Sequence, residues 1–155
     1  MIRLKPLIIS LLISLGTGGL ASLLVGGGMS DYENFNKPPL SPPGWVFPVV
    51  WTILYILMGI SAYIIWTSEK DFKRTIALWA YAVQLAINFI WTITFFGFDA
   101  YLAAFLILVI LWLAIAFMII AFRSVNKTAA YLQIPYLLWV TFAGYLNFSV
   151  WLLNK

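Results

Sequence analysis

The stretch Lys37-Pro38-Pro39-Leu40-Ser41-Pro42-Pro43-Gly44-Trp45-Val46-Phe47-Pro48-Val49-Val50-Trp51 sets two proline pairs in front of a tryptophan-rich apolar run. Proline fixes φ and donates no backbone hydrogen bond, so the first half is a stiff, extended segment rather than a loose linker. Ser41 followed by Pro42 and Pro43 reads as a helix start, a serine cap with proline in the first turn. The second half opens a long apolar helix whose first turns Pro48 is expected to bend or loosen. A rigid segment feeding such a helix is expected to serve as a lid at a membrane surface.

The composition on either side places that surface. The chain has 155 residues, 64% of them hydrophobic and 9% charged. A soluble domain of that size cannot hide so much apolar surface. Five apolar runs, 6–26, 45–67, 75–96, 101–122 and 128–153, are long enough to cross the hydrocarbon core, which takes roughly 20 helical residues. Every charged residue lies outside them. The connections are one medium loop, 27–44, and three short ones, so neighbouring spans run antiparallel in a single domain. The fold class expected is an all-α membrane protein, a bundle of five transmembrane helices with an ordered proline-rich first loop.

The basic residues orient the bundle. Arg3, Lys5, Lys70, Lys73, Arg74, Arg123 and Lys127 fall at the end that carries the N-terminus, and only Lys37 and Lys155 at the other. This positive-inside bias predicts a cytoplasmic N-terminus, with the first loop and the C-terminus outside. It also accounts for the net charge of +4, leaving no basic stripe for nucleic acid. A cleavable signal peptide is the rival reading of the first run, since Arg3 and Lys5 precede it and small residues close it. The run is long for that, and its removal leaves an awkward four-span remainder, so a true span is expected.

Cysteine and histidine are absent. Thiol chemistry, a histidine triad, a haem axial histidine and a zinc–histidine site are thereby excluded, and no metal site is expected. Carboxylates are absent from the spans, which argues against proton-coupled transport.

Polar, small and aromatic residues recur at three- and four-residue spacing, which puts them on single helix faces. Span one carries Ser10, Ser14, Gly18, Ser22 and Gly26, a stripe that suits tight packing in the bundle or a dimer face. Span two carries Pro48, Trp51, Tyr55, Met58 and Ala62, with Trp45 and Trp66 as interfacial anchors at its ends. Trp51 lies deeper and reads either as a belt residue or as a pocket wall. Span three carries Gln84, Asn88, Trp91 and Phe95. Its two amides must face the protein interior, as an interhelical clamp, as polar contacts in a pocket, or as both. Span five carries Tyr136, Trp139, Ala143 and Asn147, with Pro135 expected to kink it and Trp151 as an anchor. Span four lacks such a stripe and reads as lipid-facing scaffold, with Asp99 as its N-cap rather than a catalytic group. Turned toward one another, the stripes of spans one, two, three and five would enclose an aromatic cavity with a few amides, suited to a flat, largely apolar ligand.

These residues resemble the translocator protein / tryptophan-rich sensory protein (TspO/MBR) family along nearly the whole chain. The matching pieces are Tyr32 with Lys37-Pro38, then Pro42-Pro43-Gly44-Trp45, Pro48-Val49-Val50-Trp51-Thr52, Leu54-Tyr55 and Met58-Gly59. Further blocks are Gln84-Leu85, Asn88, Trp91 and Phe95-Phe96 in span three, and Pro135-Tyr136-Leu137, Trp139, Phe142-Ala143 and Leu146-Asn147 in span five. The resemblance implies a bacterial-type member in a cell membrane, often a homodimer, that binds porphyrins such as protoporphyrin IX as ligand or substrate, with no resident cofactor. The pocket it implies is lined by Tyr32, Pro42, Trp51, Tyr55, Asn88, Trp91, Phe95, Trp139, Ala143 and Asn147. Some bacterial members degrade protoporphyrin in light, and the tryptophans implicated look like Trp51 and Trp139 here. Porphyrin or lipid transport is the other role the resemblance leaves open.

Two departures stand out. Many relatives carry tryptophan where this chain has Asp31 and Leu40, so its lid has fewer aromatic contacts. The cholesterol-recognition pattern of animal members needs a basic residue soon after Tyr145, and the next one is Lys155. The reverse pattern, Lys127 to Tyr131 to Leu137, is a weak signal, and cholesterol is not the expected ligand.

Overall fold

The computed structural model describes residues 1–26 and 32–155; Asp31 and the start of the first loop lie outside the described residues. All five apolar runs are helices long enough to span a membrane, and the described residues include no strand. The protein is an integral membrane protein with a lipid bilayer as its solvent. Its helices are α1 (Leu4–Val25), α2 (Val46–Trp66), α3 (Phe72–Thr92) and α4 (Tyr101–Arg123), then a fifth span in two pieces, α5 (Lys127–Tyr131) and α6 (Ile134–Leu153). A π-helical turn, Ile93–Gly97, continues α3 to the membrane surface.

Helix α1 packs chiefly on α2, α3 on α4, and α4 on α6. The small-residue stripe of α1 makes the first contact. Ser10 donates from Oγ to the Gly59 carbonyl at 2.6 Å, and Ser14 is fully buried. Gly59 admits this approach, because a Cβ there would stand 2.8 Å from Leu11 Cδ2 and Ser14 Oγ. Gly18 faces the Tyr55 ring, which would collide with any side chain at that position. The stripe is therefore a packing seam over its lower turns.

The fourth span corrects the expectation of a lipid-facing scaffold. Leu108, Leu111, Ile115, Met118 and Phe122 form one of the most deeply buried stripes in the bundle, while Leu106, Ile110, Leu113, Phe117 and Ile120 face outward. Lipid tails are as apolar as leucine, so buried and lipid-exposed faces use the same residue types and the sequence carries no contrast between them.

Three local expectations are also corrected. Ser41 caps no helix. Its Oγ donates to the Pro38 carbonyl, and α2 begins five residues later at Val46, whose N–H donates to the Pro43 carbonyl. Pro48 lies in the first turn of α2, where few backbone donors have intrahelical partners, so its missing N–H removes little from the helix ladder. Asp99 sits at φ +52° and accepts from the Tyr101 hydroxyl, and the residue at the N-cap of α4 is Ala100. Pro135 acts more strongly than a kink. It occupies the first turn of α6, and the chain is broken from α5 at Leu132 and Gln133.

The two ends of the bundle are tied separately. The Arg3 N–H donates to the Tyr63 hydroxyl, and the Arg74 guanidinium donates to the Trp66 carbonyl. At the opposite end, the first loop meets the C-terminus of α6.

Candidate ligand-binding chamber

Helices α2, α3 and α6 turn their aromatic faces toward one another beneath that loop. The chamber they form is walled by Phe47 and Trp51 from α2, Trp91, Phe95 and Phe96 from α3, and Trp139, Ala143 and Asn147 from α6, with Tyr32 from the loop. The rings touch in sequence. Trp51 lies 5.8 Å from Trp91, Trp91 5.9 Å from Phe95, and Phe47 5.9 Å from Trp139, centroid to centroid. Side chains nearly fill the space, leaving a cavity of about 20 Å³.

The buried amides have defined duties. The Trp91 indole N–H donates to Asn147 Oδ1 at 3.1 Å, and Asn147 Nδ2 donates to the Tyr101 carbonyl at 2.8 Å. One turn deeper, the Tyr55 hydroxyl donates to Asn88 Oδ1 at 3.0 Å, and Asn88 Nδ2 donates to the Tyr136 hydroxyl at 2.7 Å. The Tyr136 hydroxyl in turn donates to Gln84 Oε1 at 2.8 Å. This chain crosses from α2 through α3 to α6 and forms a polar floor under the aromatic rings. Asn88 is fully buried in it and is not among the residues lining the chamber. The Trp139 indole N–H, in the chamber wall, is buried without a partner among the described residues.

The loop is the roof. Tyr32 is 4% exposed, meets Phe47 edge-on at 4.7 Å, and donates its hydroxyl to the Pro42 carbonyl at 3.1 Å. Burial pushes its phenol above the ordinary value. Phe35 adds a ring 5.4 Å from Tyr101. Glu33 holds the loop together by accepting from the Gly44 N–H at 3.0 Å and from the Lys37 ammonium at 3.1 Å. The Lys37 hydrogen bond, then that of Gly44, hold the Glu33 carboxyl below its ordinary value. Two further ties bind the loop to α6: Asn36 and Asn154 exchange hydrogen bonds, and Tyr145 donates to the Pro39 carbonyl at 2.8 Å.

Of the residues named from the sequence, Tyr32, Trp51, Trp91, Phe95, Trp139, Ala143 and Asn147 meet around the chamber. Pro42 holds the roof through Tyr32, Tyr55 and Asn88 belong to the floor, and Tyr55 also borders a neighbouring cleft. The stripe of α1 does not reach the chamber, because Trp51 and Trp91 stand between. The pocket named from the sequence missed Phe47, Phe96, Leu146 and Val150, which also line it. Their signal was present: Phe47 precedes Trp51 by one turn, and Leu146 and Val150 continue the Ala143 face.

Chemically, the arrangement offers ring faces and a few neutral hydrogen-bonding groups. Among the described residues, no carboxylate or ammonium lies in the chamber wall. It is built for stacking and orientation rather than for acid–base work.

Comparison with known proteins agrees with this architecture. The profile of the TspO/MBR family matches residues 8–152. The chain is 42% identical over 124 residues to "Tryptophan-rich protein TspO" of Chlorobaculum tepidum, covering 79% of this chain and 78% of that one. It is 37% identical over 154 residues to the protein of the same name from Archaeoglobus fulgidus, covering 98% and 99%. It is 36% identical over 148 residues to "Translocator protein" of Bos taurus, covering 94% and 88%. A match of this length, over a five-helix bundle whose shared blocks meet at one aromatic chamber, leaves one assignment: the chain belongs to the TspO/MBR family.

Proposed function

We propose that this protein is a membrane-embedded sensory protein that binds a flat, largely apolar ligand of the tetrapyrrole class, such as protoporphyrin IX, in the chamber beneath the first loop. The observation that carries the reading is the wall of that chamber. Indole and phenyl rings of Trp51, Trp91, Phe95 and Trp139 surround it, and the buried Trp139 N–H is a donor with no protein partner among the described residues. Stacking on such rings is worth about 1 kcal/mol per pair beyond area burial, and a macrocycle offers a large face. The ligand is a guest rather than a resident cofactor. The basic bias toward the N-terminal end orients the roof away from the cytoplasm, in a bacterial cell membrane. The relatives' printed names, tryptophan-rich and translocator proteins, support a sensory or translocating role.

Protoporphyrin IX titrated into the purified protein is expected to quench tryptophan fluorescence saturably. Trp51→Phe combined with Trp139→Phe is expected to weaken or alter that response. Linear, unsaturable quenching of the wild type would overturn the reading. Porphyrin breakdown driven by light, with dioxygen as the oxidant, is a second reading, favoured by Trp51 standing in the chamber wall 5.8 Å from Trp91 and 6.1 Å from Tyr136, placed to stack on an excited guest. Under illumination it requires loss of the porphyrin band with a new product, slowed in the same double variant.

A further inference from the structure

We propose that the cleft between α1, α2 and α3 is the route by which a flat apolar guest dissolved in the bilayer reaches the chamber, with the Trp51 indole as the moving wall. The proposal rests on the tetrapyrrole-class reading above and adds how the guest gets in.

The chamber is closed on its aqueous side by hydrogen bonds of the roof to itself and to α6. With about 20 Å³ free it must open to admit anything. A ligand site of ordinary size needs roughly 300 Å³ or more. Beside it lies a cleft of about 270 Å³, and Trp51, Trp91 and Phe96 are common to both walls. The cleft's outer side is made of Gly18, Gly19 and Ser22. Gly19, Ser22 and Thr52 are exposed on the outside of the bundle, at the depth where α1 faces lipid.

The shared residues are not equally fixed. Trp91 is tied by its N–H to Asn147. Trp51 is half-buried and makes ring contacts with Tyr55, Trp91 and Tyr136, and no hydrogen bond holds its indole among the described residues. Its rotation therefore breaks packing alone, and it joins the two spaces. The cleft suits the apolar ring face of a flat passenger. The Thr52 and Thr92 hydroxyls donate to their own helix carbonyls at Pro48 and Asn88, which leaves an apolar and aromatic lining.

The test uses the full chain in lipid nanodiscs. Gly19→Phe fills the cleft mouth, since a Cβ at Gly19 meets nothing within 4 Å. Ser22→Leu, on the same face, serves if the first variant folds poorly. Stopped-flow quenching by protoporphyrin IX is expected to show association and dissociation both slowed roughly tenfold or more, with Kd little changed, because a blocked route alters rates and not end states. A roof locked by a disulfide between Asn36→Cys and Asn154→Cys, in a chain otherwise free of cysteine, is expected to keep both rates within about threefold of the unlocked protein. Unchanged rates in the cleft variants, or binding abolished by the locked roof, would overturn the route. If the wild type binds no porphyrin, the function fails and a second arm decides the route. Lipids brominated on their acyl chains are expected to quench a Trp51 component, identified with Trp51→Phe, that Gly19→Phe or Ser22→Leu removes; absence of that component overturns the route.

Discussion

Leu40 is the residue whose conformation its own side chain opposes. It stands at φ +69°, 85% exposed, in the turn where the Ser41 N–H donates to the Pro38 carbonyl at 3.4 Å. This is a type II turn with Pro39 at its second position, and such a turn asks for glycine or asparagine at its third. A leucine in the left-handed region costs about 1–2 kcal/mol, and glycine returns part of that gain through the entropy of the unfolded chain. Leu40→Gly is therefore expected to stabilise the protein by about 0.5–1 kcal/mol, read as a rise of roughly 1–3 °C in thermal unfolding. Leu40→Val, β-branched in the same conformation, is expected to lower it.

The helices divide sharply in how much of them was legible beforehand. Their number and extent follow from apolar run length, and the inward faces of α2, α3 and α6 follow from amides and rings at helical spacing: Gln84, Asn88 and Trp91 are all buried where that pattern put them. The inward face of α4 was hidden, because Leu111 inside and Leu113 outside are the same residue type. Helix starts were misread at Ser41 and Asp99 because capping depends on local φ and ψ, which a residue type constrains only weakly. The seam between α1 and α2 depends on position alone, and its glycines separate cleanly. Gly59→Ala would press a Cβ against the Leu11 backbone at 3.1 Å as well as its side chain, so α1 must shift. A loss of about 1–3 kcal/mol is expected, measured by reversible unfolding in detergent. Gly16→Ala, with nothing within 4 Å of its Cβ, is expected to be neutral or to gain up to about 1 kcal/mol. Equal effects at the two sites would mean that close approach of α1 to α2 is not what Gly59 provides.

Taken as one body, the molecule is a bundle whose two ends have different chemistry. One end is basic and tied by the Arg74 guanidinium to the Trp66 carbonyl and by the Arg3 backbone N–H to the Tyr63 hydroxyl; the other is a neutral roof tied by amides, in which the only ion pair among the described residues joins Lys37 to Glu33. That asymmetry gives the roof a dependence on pH that the helices lack. Charge does not enter the floor, where Tyr55, Asn88, Tyr136 and Gln84 exchange neutral hydrogen bonds. In the roof, the Glu33 carboxyl lies below its ordinary value because it accepts from Lys37 and Gly44. A carboxylate lowered on folding stabilises the folded form above the ordinary carboxylate range and loses that contribution as pH falls through the lowered value. Hydrogen-exchange protection of the Gly44 amide, corrected for intrinsic rate, is therefore expected to hold from neutral pH down through the ordinary carboxylate range and to be lost once the pH falls below that range. Glu33→Gln is expected to remove that transition, leaving the Gly44 amide weakly protected at every pH, because a neutral amide keeps the shape of the contact and loses the charge that Lys37 and the Gly44 N–H both favour. The interior backbone amides of α3 and α4 serve as the internal reference, with the Arg74 amide left out because it donates to the Asp71 carboxylate at the N-cap of α3. Loss of protection in those helices at the same pH as Gly44 would mean that the whole bundle, rather than the roof, answers to acid.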